Sequence, residues 1–100
     1  MSLGPARPDP FINTTTRLWL MAVLAGAEEV EFAAARDASG LSDSVVSKQA
    51  VALEAAGYLA LRKGHVGRRP RTWLSLTPLG REALRRHIAA LRRIVDLAGT

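Results

Sequence analysis

A mainly α-helical domain carrying a small β-hairpin is the fold class this sequence predicts, and three observations predict it. Ala, Leu and Val dominate the apolar residues while aromatics make up only 5% of the chain, a supply that suits packed helices. Apolar residues recur at three- and four-residue spacing, as in Val46, Ala50 and Leu53, which places them on one helical face. Between residues 59 and 76 that spacing gives way to two short β-compatible runs separated by Gly64, Gly67 and Pro70, the composition of a hairpin. At 100 residues the chain makes one domain with a single core.

The elements follow in order. Residues 1–10 hold Pro5, Pro8, Pro10 and Gly4, which block helix and offer little to bury, so a flexible tail is expected there. Asn13 and the threonines after it are N-cap candidates for a first helix that contains Leu18, Leu20, Met21 and Leu24 and ends at Gly26. Residues 30–32 predict a brief strand, and residues 33–38 a short second helix stopped by Gly40. Ser42 caps a third helix over residues 42–56, whose core face is Val46, Ala50, Leu53 and Gly57. Ser44, Ser47, Lys48 and Val51 project from its other side.

The hairpin strands are expected at residues 59–62 and 72–76, with an irregular tip between them. Thr77 and Pro78 then open a last helix, with threonine as the cap and proline in the first turn, where its missing donor costs nothing. That helix runs to about residue 98 and carries two adjacent apolar stripes. One holds Leu84, Ile88, Leu91, Val95 and Ala98, and the other Ala83, His87, Ala90, Ile94 and Leu97. A single stripe satisfies a monomer; two on a terminal helix point to packing on another chain as well.

The formal charge of +5 is concentrated locally. No Asp or Glu occurs between Glu54 and Glu82, whereas Arg62, Lys63, Arg68, Arg69, Arg71 and Arg81 all do. Such a field selects polyanions, DNA and RNA among them, and by charge alone an anionic membrane would serve too. With no cysteine there is neither a disulfide framework nor a thiolate metal site. The longest apolar stretch, residues 18–26, is about half of a membrane span, and the N-terminus lacks a basic region followed by an apolar run. The expectation is a soluble, cytoplasmic protein with no membrane partner.

Catalytic nucleophile motifs, phosphate-cradling glycine loops and carboxylate pairs with a histidine are missing, so no enzyme, no catalytic residue and no cofactor is expected. His65 and His87 each lack a second ligand at suitable spacing, and no metal site is expected; both read as solvent or interface histidines. Glu28, Glu29 and Glu31 read as a solvated turn. Trp73 reads as core, its indole covering the hairpin base.

The words of the sequence carry a resemblance. "LSDSVVSKQAVALEAAGYL", residues 41–59, resembles the second half of the helix-turn-helix of winged helix-turn-helix regulators of the MarR and ArsR type. "RKGHVGRRPRTWLSLTPLGREAL", residues 62–84, is similar to their wing and following helix. The run Gly67 to Thr72, Gly-Arg-Arg-Pro-Arg-Thr, looks like the wing of compact stand-alone MarR-like domains. The resemblance implies a winged helix of order α-β-α-α-β-β-α, with a three-helix core, a wing and a C-terminal dimerisation helix. Residues 11–77 would be the DNA-binding core and residues 78–100 the dimerising helix. The implied function is sequence-specific binding of double-stranded DNA by a homodimeric transcriptional regulator, a repressor in the first instance.

A recognition helix needs short polar or basic side chains near its N-terminus to lie close to base edges, which nominates Ser42, Ser44, Val45, Ser47, Lys48 and Val51. The wing nominates Arg62, Lys63, His65, Arg68, Arg69 and Arg71 for phosphates or a narrow minor groove. Val45 stands where the family pattern has asparagine, and Val51 and Ala52 where polar residues often follow, so specificity is expected to draw on the wing and on DNA shape.

For the dimer interface the candidates are Trp19, Val23, Leu84, Ile88, Leu91, Ile94 and Val95, with Phe11 beside them. A small-molecule effector, which nothing in the sequence specifically indicates, would sit at that interface. The rival reading is a winged-helix module that binds a protein partner through Val45 and Val51 and has only nonspecific nucleic-acid affinity. RNA fits less well, because few exposed aromatics are available to stack on unpaired bases.

Overall fold

The computed structural model describes residues 7–99. In chain order these form α1 (Thr15–Ala25), β1 (Val30–Glu31), α2 (Phe32–Ser39), α3 (Asp43–Ala55), β2 (Leu59–Val66), β3 (Arg69–Leu76) and α4 (Pro78–Leu97). The expected order of elements holds throughout.

The helix ends obey local chemistry. Thr14, Ser42 and Thr77 cap α1, α3 and α4 with side-chain oxygens that accept from the backbone N–H of Arg17, Val45 and Gly80 respectively. Gly40 ends α2 at φ 70°, a left-handed conformation that glycine adopts without a Cβ clash, and the chain turns there into α3. Gly57 does the same at φ 81° after α3, but it is exposed and lies beyond the helix, so it is a turn residue and not part of the core face. The other three residues of that face, Val46, Ala50 and Leu53, are buried.

The sheet is antiparallel with strand order β1-β3-β2. Its register places Leu59 opposite Leu76 and Leu61 opposite Leu74, so these leucines share the face that packs on the helices. The core joins them to Ile12, Leu20, Met21, Leu24, Ala35, Val46, Ala50, Leu53 and Leu84. Full burial of a leucine contributes roughly 1.5–3 kcal/mol, so this cluster is the main source of stability in a chain without cross-links.

Besides Gly57, three expectations are corrected. The hairpin has no irregular tip: β2 and β3 pair without interruption to Val66 opposite Arg69, leaving a turn of only Gly67 and Arg68. Gly67 has φ 62° and Arg68 a negative φ, the pattern of a tight turn whose first central residue is glycine. Pro70 fits in a strand because β1 has already ended at that level, so one side of β3 is open and needs no donor.

The second correction concerns the N-terminus. Residues 1–6 of the expected tail lie outside the described residues, but Asp9 is tied in: its N–H donates to His87 Nδ1 at 2.8 Å and its carboxylate accepts from Phe11 N–H at 2.9 Å. Third, His87 is neither a solvent nor an interface histidine. It is 1% exposed, and its Nε2 has no partner among the described residues. Burial pushes its pKa down, with the Asp9 carboxylate opposing the shift in part.

Candidate nucleic-acid interface

The approach of α4 to the body explains the "LTPLG" word. Thr77 Oγ1 donates to the Gly57 carbonyl at 2.6 Å, Thr77 N–H donates to the Tyr58 carbonyl at 3.1 Å, and Pro78 occupies the first helical turn. These bonds fix the far end of the hairpin against the end of α3 and so set where the wing stands relative to that helix.

On α3, Ser42, Ser44, Ser47, Lys48 and Val51 are exposed, as expected. Val51 is 63% exposed, a large apolar side chain on an otherwise polar surface. Val45 is half-buried and sits at the edge of that face. Ser42 and Ser44 hydroxyls lie 3.2 Å apart. Gln49 faces inward, where its Oε1 accepts from Arg17 Nε at 2.7 Å, so it takes no part in the outer surface. Asp43 is paired with Arg36 of α2 at 2.9 Å, which offsets the acid at the positive end of the helix.

The wing side chains divide by strand register. Lys63 and His65 lie opposite Thr72 and Pro70 and continue the face of Leu59 and Leu61. Arg62, Gly64 and Val66 lie opposite Trp73, Arg71 and Arg69 on the other face. Arg68 stands in the turn. Lys63, His65, Arg68 and Arg69 are exposed, and no hydrogen bond or ion pair engages them among the described residues.

Arg62, more than half of whose side chain is exposed, and Arg71, a third exposed, are already engaged by partners within the chain. Arg62 binds Glu29 through two parallel bonds of 2.8 and 2.7 Å and lies 4.1 Å over the Trp73 ring. Arg71 Nε is 2.9 Å from Glu31. The Arg62 guanidinium holds the Glu29 carboxyl below its ordinary pKa, and Glu29 in turn raises that of Arg62. Glu29 and Glu31 are therefore braces and not parts of a solvated turn, whereas Glu28 is exposed as expected.

Trp73 is half-buried under Arg62, and a Cβ on Gly64 would come within 3.1 Å of its ring. The indole thus covers the middle of the hairpin's outer face instead of entering the core. Charge complementarity between residues 28–31 and the hairpin was the available signal for these braces, but it requires knowing that β1 lies beside β3.

The expected interface residues also divide. Trp19 is 55% exposed, Ile94 50% and Val95 48%, whereas Val23, Ile88 and Leu91 are half-buried. Leu84 is 3% exposed within its own chain and belongs to the core, on the face of α4 that also buries Gly80, His87 and Ala90 and packs toward α1 and β3. Phe11 packs edge-on against Tyr58 at 6.0 Å with the Arg17 guanidinium over its ring, so it too is used within the chain. Arg81 donates to the Ala25 and Ala27 carbonyls at 3.3 and 2.8 Å and is structural. Among the described residues no group of three or more His, Asp or Glu side chains gathers as a metal-binding cluster, and no helix is long and apolar enough to cross a membrane.

Helices α2 and α3 joined by a glycine turn, followed by a two-stranded hairpin and a capped terminal helix, define a winged helix-turn-helix protein. The chain belongs to the winged helix DNA-binding domain family, whose model matches residues 16–95. Its fold is similar to that of a transcriptional regulator homologue from Pyrococcus horikoshii OT3, with TM-score 0.83, 22% identity, and 90% of this chain and 89% of that one covered. It is also similar to the PcaV transcriptional regulator from Streptomyces coelicolor, determined with its natural ligand (TM-score 0.75, 23% identity, 88% and 63% covered). A MarR-family transcriptional regulator from Silicibacter pomeroyi shares the fold as well (TM-score 0.68, 20% identity, 88% and 58% covered). The chain spans less than two thirds of the latter two. No curated protein matches the sequence.

Proposed function

We propose that the chain is a homodimeric, DNA-binding transcriptional regulator, acting as a repressor, that reads a pseudo-palindromic duplex with half-sites about 34 Å apart. The observation that carries this reading is the display, on successive elements, of an exposed α3 face, Ser44, Ser47, Lys48 and Val51, and a wing closed by a two-residue turn and bearing exposed Lys63, Arg68 and Arg69. Such a face lies close to base edges, and the wing cations suit phosphates flanking the groove. The serines and Val51 supply only modest direct readout, so DNA shape contributes to sequence preference.

The dimer would form through the second half of α4 and through Trp19. The described chain measures 52 × 30 × 20 Å with a radius of gyration of 15.0 Å, against about 13 Å for a compact domain of this length. That excess fits a terminal helix whose end projects from the body, with Ile94 and Leu97 exposed. A groove of about 440 Å³ beside α1, lined by Asn13, Leu18, Trp19 and Ala22 among others, would be closed by a second copy and has the volume to receive a small effector.

Fluorescence anisotropy with duplex fragments selected from the genome is the test. Binding whose affinity falls steeply with salt supports the proposal, and failure to bind any duplex at low salt removes it. With Lys48, Lys63, Arg68 and Arg69 of each subunit on phosphates, the log-log salt slope is expected near −7, from about −0.9 per contact.

A further inference from the structure

We infer that Glu29 and Glu31 are positioning residues for nucleic-acid binding: they hold Arg62 and Arg71 against the wing's outer face, leaving Lys63, Arg68 and Arg69 as its polyanion contacts. This deepens the DNA-binding proposal and rests on it.

The geometry forms one row across all three strands. Glu31 lies opposite Trp73, and Trp73 lies opposite Arg62, so the three side chains share a face at one level of the sheet. Arg62 is engaged on two sides, by both carboxylate oxygens of Glu29 and by the Trp73 ring. A planar fork that is both bidentate and stacked loses two partners at once if it turns to a phosphate. Arg71, opposite Gly64, is held by Glu31 at 2.9 Å, and only a third of its side chain is exposed. Together the two pairs tie β2 and β3 to the segment around β1, which is only two residues long. A two-stranded ribbon of this length is otherwise marginally stable in water. The acids thus aim the ribbon, and their negative charge is already matched, so they do not oppose a polyanion at the tip.

The salt slope distinguishes a brace from a contact. Arg69→Gln is expected to reduce the magnitude of the slope by about 0.9 per subunit, whereas Arg62→Gln weakens binding and leaves the slope unchanged. Equal loss of slope in both variants overturns the inference. Exchange of charges gives a rescue: Arg62→Glu alone is expected to lose about tenfold or more in affinity, and Arg62→Glu with Glu29→Arg to return within about threefold of the native protein. A double variant as weak as the single one overturns it too.

The free protein supplies a readout that needs no DNA. In a Trp19→Phe background, emission comes from Trp73 alone, and Arg62→Gln is expected to shift it; an unchanged spectrum removes the brace. If the native protein binds no duplex, the DNA reading fails, while the Trp73 spectrum still decides whether Arg62 is held.

Discussion

Gly80 of α4 lies so close to Tyr58 that it has no room for a side chain: a Cβ there would come within 2.8 Å of the Tyr58 carbonyl carbon and overlap its oxygen. The contact is to backbone, which cannot swing aside as a side-chain tip can. Gly80→Ala is therefore expected to destabilise the fold by about 2–3 kcal/mol, even though alanine is the better helix former. Thermal melting should fall by roughly 10–20 °C. Gly26→Ala is the control, because its nearest neighbour would be 3.5 Å away and its φ is negative; it should stay within about 0.5 kcal/mol of the native protein.

Thr77 serves the same junction by a different route. Its hydroxyl accepts from Gly80 N–H at 3.0 Å and donates to the Gly57 carbonyl at 2.6 Å. Thr77→Ala removes the α4 cap together with the link to the turn after α3, and should cost about 1–2 kcal/mol in urea unfolding. Thr77→Ser keeps both bonds and should recover most of that loss.

The acid stability of the protein should report His87. Its folded pKa lies below the ordinary 6.5, because burial disfavours the charged ring. The unfolded chain therefore takes up a proton first as pH falls. The His87 contribution is whole above pH 6.5 and is lost progressively as pH falls from 6.5 toward the folded pKa. Glu29 and Glu82, lowered from 4.5 by Arg62 and Arg85, act in a more acidic window. Urea unfolding measured across the His87 window, at pH values above the carboxylate window, should show a fall in stability that His87→Leu removes; an equal fall in the variant would assign it elsewhere.

The end of α4 offers a test of assembly that leaves the core alone. Ile94 is 50% and Leu97 85% exposed, so Ile94→Glu with Leu97→Glu disturbs little within one chain. Sedimentation should show a shift from dimer to monomer, with near-native helix content by circular dichroism. Unchanged sedimentation of a dimeric native protein would move the interface away from this helix end.

Most of the fold was legible in the sequence because its signals are local. Ser42, Gly40, Thr77 and Pro78 mark helix ends by chemistry that operates within a few residues, and Val46, Ala50 and Leu53 mark the core by spacing alone. What escaped depends on contacts between distant segments. Nothing near His87 announces that Asp9 will use its ring as an acceptor, and Leu84 and Ile88 look alike on a helical wheel until the body of the protein covers one more fully.

The wing shows the same limit within the site. Its basic composition was evident, but the distinction between Arg62 and Arg69 was not, because it depends on Glu29 and on the strand register. The α3 face was clearer, since exposure on a helix follows directly from periodicity; Ser44, Ser47, Lys48 and Val51 project together as their spacing requires.

Arg81 links the two ends of this arrangement. Its guanidinium reaches from α4 to the carbonyls of Ala25 and Ala27, two residues before Glu29, whose carboxylate grips Arg62. The loop after α1 is therefore moored on both sides, to the terminal helix through Arg81 and to the second strand through Arg62, so a single short segment joins the two parts of the chain that flank the helical body.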